Sequence, residues 1–273
     1  MRTLLLIGSV AVALIGSPAN ADLNTFVQRC GSADSSARDV VNFCQRALAT
    51  GRLDDRTAAQ VRANLGVGFF ELGDYRSALV EYNQAVAAAP DIIGIYMNRA
   101  RVLERLGDLR GAAQDYAFVI QRDPRAADAH LGRGAMLLAN GDPGRAVNDF
   151  SRAISLQPDW IGPYFNRGMS HLQLGMWNEA ASDFTQVVQR SPDDAAAYLN
   201  RGRALAGAGR AEAGRDFDRA IELDPEWGGA WFARGQYWDS NGNREAANRD
   251  FIRAYELGYP DAWLIKRVRE ISG

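Results

Sequence analysis

Few side chains in this sequence are suited to acid–base, nucleophilic or metal chemistry. The chain has two cysteines, Cys30 and Cys44, two histidines, His130 and His171, and one lysine, Lys266. The thiolates are too few for a zinc site closed by four of them, and no lysine is available for a phosphate-binding loop or a Schiff base outside the C-terminal end. The sequence therefore predicts a protein without catalytic residues, metal or cofactor.

The overall charge is close to neutral. The 31 lysines and arginines nearly balance the 33 aspartates and glutamates, which gives a formal net charge of −2. Surfaces that follow nucleic-acid phosphates carry a basic excess, so nucleic acid is not an expected partner. The hydrophobic content of 47% is ample for a packed core, and we expect the chain to fold.

The N-terminal end has the pattern of a secretory signal peptide. Met1 and Arg2 precede an apolar stretch at residues 4–16, and an Ala-x-Ala pattern ends at Ala21. The apolar stretch is shorter than the roughly 20 residues that cross a bilayer, which disfavours an uncleaved anchor. We expect residues 1–21 to be removed and the remaining chain to be exported, periplasmic or secreted, with no integral membrane segment.

Export would place the two cysteines in an oxidising compartment. A disulfide between Cys30 and Cys44 would then hold residues 24–30 against a helix predicted at residues 37–49. A loop of this size contributes on the order of 3 kcal/mol in the chain-entropy model. Two free buried thiols are the alternative.

Prolines and glycines recur along the chain with a single period. Successive members of each series are 34 residues apart, except for a last interval of 33. The series are Pro90, Pro124, Pro158, Pro192 and Pro225, and Gly73, Gly107, Gly141, Gly175, Gly209 and Gly242. A fixed period of this length predicts stacked helical repeats that bury their apolar faces only against their neighbours. The missing residue lies between Gly209 and Pro225, where we expect it to shorten a loop and leave the packing unchanged.

Apolar residues within each repeat have helical spacing. Ala146, Phe150 and Ala153 are separated by four and three residues, so they share one helix face. Each repeat also has a small residue in its first helix and a large aromatic residue in its second, such as Gly168 and Phe184. The small residue lets the two helices approach closely, and the aromatic ring fills the space opposite it.

These positions together resemble the consensus of the tetratricopeptide repeat family, in the form found in exported bacterial proteins. The matching residues of one repeat are Tyr164, Gly168, His171, Ala180, Phe184 and Pro192. The resemblance implies an all-α, right-handed superhelical solenoid of about six helix-turn-helix units, in which both histidines have packing roles. The expected segments are a cysteine-containing helical cap at 22–58, repeats 1 to 6 at 59–92, 93–126, 127–160, 161–194, 195–227 and 228–261, and a C-terminal capping helix at 262–273.

Arginine replaces the family's first-helix leucine in five of the six repeats. In the same repeats, the second helix carries an aspartate just before its aromatic residue. We predict a bidentate ion pair between the two helices of each repeat, at a partly buried edge. A row of ligand-binding arginines is the alternative. The predicted pairs are Arg99–Asp115, Arg133–Asp149, Arg167–Asp183, Arg201–Asp216 and Arg234–Asp250.

The resemblance also indicates which residues line a concave groove. The sixth residue of each first helix faces the groove in this family, and here it is asparagine in four repeats: Asn64, Asn98, Asn166 and Asn200. This pattern is similar to the asparagine ladder of O-linked N-acetylglucosamine transferase and suits the backbone of an extended peptide. The alternative is that asparagine is simply common at this position. Other expected groove residues are Arg101, Arg105, Phe165, Met169, Arg203, Phe232 and Gln236, a lining that favours an acidic or amphipathic segment.

The predicted function is that of a non-catalytic scaffold or adaptor in the bacterial periplasm, with a protein or peptide as partner. One alternative is a structural solenoid that self-associates through Trp160, Trp177, Trp227 and Trp263. A more remote alternative is an accessory subunit of an envelope enzyme complex. The same scaffold serves many pathways, so the sequence does not identify the partner.

Overall fold

Residues 18–272, the part of the chain that the computed structural model describes, form α-helices joined by turns. Over these residues there are fifteen helices and no strand. The helices are α1 (Pro18–Cys30), α2 (Ala37–Ala49), α3 (Asp55–Glu71), α4 (Tyr75–Ala88), α5 (Ile93–Leu106), α6 (Leu109–Arg122), α7 (Ala127–Ala139), α8 (Pro143–Leu156), α9 (Ile161–Gln173), α10 (Trp177–Arg190), α11 (Ala195–Gly207), α12 (Ala213–Leu223), α13 (Gly228–Ser240), α14 (Arg244–Glu256) and α15 (Ala262–Ser272). The all-α architecture expected from the sequence is confirmed.

The chain divides into two compact units. The N-terminal unit is Met1–Gly141 and contains α1 to α7, and the C-terminal unit is Asp142–Gly273 and contains α8 to α15. In the N-terminal unit each helix packs against the next, and α3 also contacts α5. Helices α5 and α7 begin at the residues that open repeats 2 and 3, whereas α3 begins four residues ahead of repeat 1. This earlier start has a local cause, because the Asp54 carboxylate accepts a hydrogen bond from the Thr57 backbone N–H at 2.9 Å and caps the helix.

The C-terminal unit follows the same plan. Each helix from α8 to α15 packs against the next. The first helices of successive repeats also touch one another, α9 with α11 and α11 with α13. We call the face formed by α9, α11 and α13 the inner face, because residues of repeats 4, 5 and 6 lie side by side on it.

The glycine in the middle of each repeat has a left-handed backbone. The φ angles of all six lie between 69° and 80°, a region that costs other residues roughly 1 kcal/mol or more. In the first three repeats the next residue is Asp74, Asp108 or Asp142, whose carboxylate accepts a hydrogen bond from the backbone N–H three residues later. The turn between the two helices is therefore determined by local sequence.

Glycine in the first helix makes room for an aromatic ring of the second helix. A methyl group added at Gly168 would lie 2.9 Å from the ring of Phe184, and one added at Gly202 would lie 2.9 Å from the ring of Phe217. Both rings are buried. Burying a phenylalanine side chain contributes about 2–3 kcal/mol, so these rings are major elements of the core.

The proline series marks a second recurring contact, at the junction between repeats. Tyr96 Oη donates a hydrogen bond to the Pro90 carbonyl at 3.2 Å, and Trp231 Nε1 donates one to the Pro225 carbonyl at 2.9 Å. A polar aromatic residue near the start of a repeat thus binds the backbone that leads into it.

A disulfide joins the first two helices. Cys30, at the end of α1, is bonded to Cys44 in α2, and both residues are fully buried. Leu23, Val27 and Val40 surround the bridge in a small core that also includes residues of α3. Of the predicted signal segment, residues 1–17 lie outside the described part of the chain, and the predicted cleavage site lies within α1.

The shortened repeat differs from the expectation. Helix α12 begins four residues after Gly209, whereas α4, α6, α8, α10 and α14 each begin two residues after the corresponding glycine. The missing residue therefore shortens a helix to 11 residues and leaves a longer turn. The packing explains this outcome, since Ala213, Phe217 and Ala220 keep their spacing and are buried, whereas Glu212 provides no side-chain cap for an additional turn.

Helix α15 ends the described chain as a cap. Leu264 and Val268 are buried against α14 and its neighbours, whereas Lys266 and Arg269 are exposed. Arg267 is half-buried and donates a hydrogen bond to Asn248 Oδ1 at 3.3 Å. Within residues 18–272, no helix combines the length and the apolar character that crossing a bilayer requires.

Candidate functional site

Four of the five predicted arginine–aspartate pairs are present as bidentate contacts within one unit. In each, Nε and Nη2 of the arginine donate to the two carboxylate oxygens at 2.6–3.0 Å. The arginine side chains are 18–23% exposed and the aspartates 3–9%. The pairs are Arg99–Asp115, Arg167–Asp183, Arg201–Asp216 and Arg234–Asp250. Arg133 and Asp149 belong to different units, and their pairing stays a prediction.

The same arginines make further contacts of two kinds, which were not expected from the sequence. In three of them Nη1 donates to the preceding repeat: Arg99 to Asn83 at 3.0 Å, Arg167 to Ser151 at 3.0 Å and Arg234 to Asp218 at 2.7 Å. All four guanidinium groups also lie over the aromatic ring three residues earlier, at 4.9–5.8 Å from its centroid. The hydrogen bonds to the aspartates raise the pKa of Arg99, Arg201 and Arg234. These contacts show that the four arginines hold helices together.

The two histidines have structural contacts. His171 is 7% exposed, and its Nδ1 lies 3.0 Å from Oδ2 of Asp183, the carboxylate that also binds Arg167. His130 is 6% exposed, and its Nε2 lies 3.3 Å from the Pro124 carbonyl. One ring nitrogen of each histidine thus contacts an internal group.

The asparagines expected to line a groove are mostly buried, which differs from the expectation of an open ladder. Asn64, Asn98 and Asn200 are 2%, 1% and 6% exposed, and Asn166 is half-buried. Asn200 is held by its own helix, because its Nδ2 donates to the Ala196 carbonyl at 2.9 Å. A buried amide reaches a bound peptide only if the surrounding helices move, so these positions belong to the packing between helices.

Two residues predicted to line the groove, Arg101 and Arg105, lie near a polar contact in the N-terminal unit. Arg101 is half-buried, and the guanidinium of the exposed Arg105 lies 5.9 Å from the centroid of the Phe70 ring. Between the two arginines in sequence is Glu104, which accepts a hydrogen bond from Tyr116 Oη at 2.6 Å. Burial raises the pKa of Glu104, although the Tyr116 hydrogen bond and both arginines act in the opposite direction.

The residues of the C-terminal unit that were predicted to line a groove fall into two groups. Phe165 and Met169 are half-buried against the core of repeats 4 and 5. Phe232 is 6% exposed and packs against the rings of Phe251 and Tyr259, so it is a core residue and not the groove residue that was expected. Arg203 and Gln236 are exposed on the inner face, and they line one cavity together.

This cavity has a volume of about 340 Å³ and lies between α11 and α13. Trp177, from the start of α10, and Tyr237, from α13, contribute aromatic walls. The full lining is Trp177, Arg203, Ala206, Gly207, Phe217, Ala233, Gln236, Tyr237 and Ser240. We call it the inner cavity. Arg203 and Gln236 were expected from the sequence, whereas Trp177 and Tyr237 were not, because they lie outside the family positions that line the groove.

A larger cavity of about 460 Å³ lies beside the irregular turn of repeat 5. Its basic residues include Arg201 and Arg210, which are paired with Asp216 at 2.7 Å and with Glu212 at 3.3 Å. These carboxylates are part of the same lining. The charges of this cavity are therefore largely satisfied from within, unlike those of the inner cavity.

Comparison with known proteins identifies the repeat type. A family model described as tetratricopeptide repeat matches residues 63–117, 97–159 and 165–226. No curated protein matches the sequence.

Several solved structures have a similar fold. A tetratricopeptide repeat protein from Parabacteroides merdae is 18% identical, with a TM-score of 0.64 over 91% of this chain and 98% of the other. The C-terminal part of a TPR repeat-containing protein from Cytophaga hutchinsonii is 16% identical, with a TM-score of 0.67 over 84% of this chain and 93% of the other. YrrB, described as a TPR protein with an unusual peptide-binding site, is 23% identical, with a TM-score of 0.59 over 69% of this chain and 97% of the other. The matched repeats cover more than half of the sequence, and the chain belongs to the tetratricopeptide repeat family.

Proposed function

We propose that this protein is a non-catalytic scaffold that binds an extended segment of another protein along the inner face. Repeats 4, 5 and 6 present their first helices side by side, so a segment lying across α9, α11 and α13 would contact all three. The observation that carries the proposal is the inner cavity, where polar and aromatic side chains of three successive repeats converge. The peptide-binding site ascribed to YrrB is consistent with such a use of this fold.

The role of the arginines supports a scaffold and not an enzyme. Arg99, Arg167, Arg201 and Arg234 are each engaged by an aspartate of their own repeat, and both histidines bind internal groups. These charged and titratable side chains thus hold the helices together.

Position-specific crosslinking tests the proposal. A photoreactive amino acid would replace Gln236 on the inner face of α13 in the full-length protein. The matched control would carry it at Arg249, which is exposed on α14. We expect a discrete protein adduct from position 236 that is absent from position 249. Equal adducts from both positions, or none from position 236, would overturn the proposal.

We further propose that the protein is exported. The Cys30–Cys44 disulfide supports this, because structural disulfides persist mainly in oxidising compartments. Cell fractionation and N-terminal sequencing of the exported form should give a chain that begins at Asp22. Replacing Ala21 by arginine should block cleavage, and a cytoplasmic, uncleaved wild-type chain would exclude export.

Self-association is a second candidate, favoured by exposed aromatic residues. Trp263 and Trp177 are 49% and 39% exposed. Trp160 and Trp227 are less exposed, because each is half-buried. Sedimentation velocity over a range of concentrations separates the two functions, because self-association gives a mass that rises with concentration.

A further inference from the structure

The inner cavity has a basic group without an acidic partner. Arg203 is the only charged residue in its lining. Its guanidinium donates one long hydrogen bond, from Nη1 to Asn200 Oδ1 at 3.3 Å, and within residues 18–272 it has no carboxylate at ion-pair distance. Arg201, two residues earlier, is by contrast bound by both carboxylate oxygens of Asp216, through its Nε and Nη2. Arg201 therefore forms an internal ion pair, whereas the guanidinium of Arg203 is open to the inner face.

The guanidinium of Arg203 is both exposed and partly desolvated. Its side chain is exposed at the inner face, yet neighbouring groups crowd it and lower its pKa by desolvation. A cation that is partly desolvated and unpaired attracts an anion more strongly than a fully solvated surface arginine does.

An apolar surface adjoins this charge. Trp177 is 39% exposed, and its indole lies directly on Gly207, where an added methyl group would be 2.5 Å from Cδ2. Leu174 and Met176, in the turn just before α10, are 43% and 38% exposed. Glycine at position 207 thus allows the indole to lie against α11, and the two other exposed apolar side chains are close to it in sequence.

The irregular turn of repeat 5 leaves further space on the other side. Trp177 is the second residue after the glycine of repeat 4, and the equivalent residue of repeat 5 is Ala211. A small side chain in a non-helical turn does not fill the position that an indole fills in repeat 4. A cavity of about 120 Å³ is found there, and it shares Ala206, Tyr237 and Ser240 with the inner cavity. Tyr237 Oη donates a hydrogen bond to the Ala211 carbonyl at 3.2 Å and fixes the turn at the edge of this space.

We infer that the inner cavity binds an acidic side chain of the partner segment, with its carboxylate on Arg203, and that an adjacent apolar side chain of the segment packs on Trp177. Charge complementarity argues for this occupant, since the lining offers one cation, the amide of Gln236 and no carboxylate. The inference rests on the proposed function and specifies the chemistry of the bound segment.

Synthetic peptides of matched sequence test the charge preference. The three probes alternate leucine with glutamate, with glutamine or with lysine, separated by glycine and serine and labelled for fluorescence anisotropy. We expect the wild-type chain to bind the glutamate peptide about fivefold more tightly than the glutamine peptide. This preference should weaken as salt concentration rises, because the charges face solvent.

Charge reversal at the arginine provides the decisive comparison. Arg203→Glu should lose the glutamate peptide and bind the lysine peptide instead. The matched control is Arg219→Glu, which makes the same charge change at an exposed residue of α12 and should leave the preference unchanged. Circular dichroism establishes that each variant is folded, and Arg203→Gln replaces Arg203→Glu if the reversal disrupts folding, with loss of the glutamate preference as the expected result.

The indole of Trp177 gives an independent readout. In an NMR spectrum of the indole N–H groups, the signal that is lost in Trp177→Phe belongs to this residue. We expect the glutamate peptide to shift the Trp177 signal and to leave the Trp160 signal in place. Equal affinity of the wild-type chain for the glutamate and glutamine peptides would overturn the inference while leaving peptide binding intact. Absence of binding to all three peptides would also overturn it, and the crosslinking at position 236 would then decide the proposed function separately.

Discussion

Arg234 and Asp218 lie on different repeats and are joined by a hydrogen bond of 2.7 Å from Nη1 to Oδ1. The same guanidinium is bound by Asp250 through Nε and Nη2. One side chain on α13 thus connects α12 of the repeat before it with α14 of its own repeat. The two aspartates differ in burial, because the side chain of Asp218 is 51% exposed and that of Asp250 is 5% exposed.

This difference predicts unequal effects of removing the two carboxylates. Asp250→Ala leaves a largely buried arginine without its main partner and should lower the free energy of unfolding by about 3 kcal/mol. Asp218→Ala removes a half-exposed pair and should cost less than about 1 kcal/mol. Urea unfolding of both variants measures the difference, and equal losses would show that the pairs are not distinguished by burial.

A second prediction concerns the close contact between Gly168 and Phe184. Gly168→Ala places a methyl group 2.9–3.1 Å from three atoms of the buried ring, so we expect a loss of about 1–3 kcal/mol from overpacking. Gly144→Ala is the matched control, because no atom outside its own stretch of helix lies within 4 Å of the added methyl group and alanine is the better helix former. Calorimetry should show a lower melting temperature for the first variant only, and a smaller residue at position 184 should restore part of the loss.

Reduction of the disulfide should destabilise the N-terminal cap. The Cys30–Cys44 bridge closes a short loop, and the chain-entropy model gives a stabilisation of about 3 kcal/mol for loops of this size. We expect a reductant to lower the melting temperature of the wild-type protein and to accelerate amide hydrogen exchange in α1. The double variant Cys30→Ala, Cys44→Ala should resemble the reduced protein and be indifferent to the reductant. A wild-type protein whose exchange in α1 is unchanged by reduction would contradict this account.

The raised pKa of Glu104 predicts a pH-dependent effect. A carboxyl group whose pKa is higher in the folded chain stabilises the fold below its ordinary pKa, and this contribution is lost as pH rises through the folded value. Glu104→Gln removes the dependence, so the stability of the variant relative to wild type should increase between about pH 4 and about pH 7.

A second carboxyl group, that of Glu212, should affect the pH dependence of stability in the opposite direction. Hydrogen bonds from its own backbone N–H and from Arg210 lower the pKa of Glu212, so its contribution is present at neutral pH and is lost as pH falls through the folded value. Glu212→Gln should therefore lose stability relative to wild type as pH rises over the same range. Urea midpoints measured at several pH values test both variants, and trends of the same sign would refute the assignment.

Much of the fold follows from short-range sequence signals. A glycine with left-handed backbone lies in the turn in the middle of each repeat, and the spacing of Ala146, Phe150 and Ala153 places them on one buried helix face. The arginine and aspartate of one repeat are 15 or 16 residues apart, and the hairpin of two helices that joins them is itself local. These features are repeated, so the sequence displays them several times.

The candidate site was less predictable because it depends on how side chains of different repeats meet. Asn98 and Phe232 occupy positions that suggested a groove, yet the neighbouring helices bury both. Trp177 and Tyr237 were not expected as walls of a site, and they become so because Gly207 admits the indole and Ala211 leaves space beside the phenol.

The amino-acid sequence by itself determined the helix pairs, their period and the ion pairs within a repeat, since each depends on residues close together in the chain. Only the tertiary structure decided which polar residues remain open, because exposure depends on the summed packing of three or more helices. Arg201 and Arg203 illustrate this division: they are nearly adjacent in sequence, but one is enclosed by Asp216 and the other faces the inner cavity.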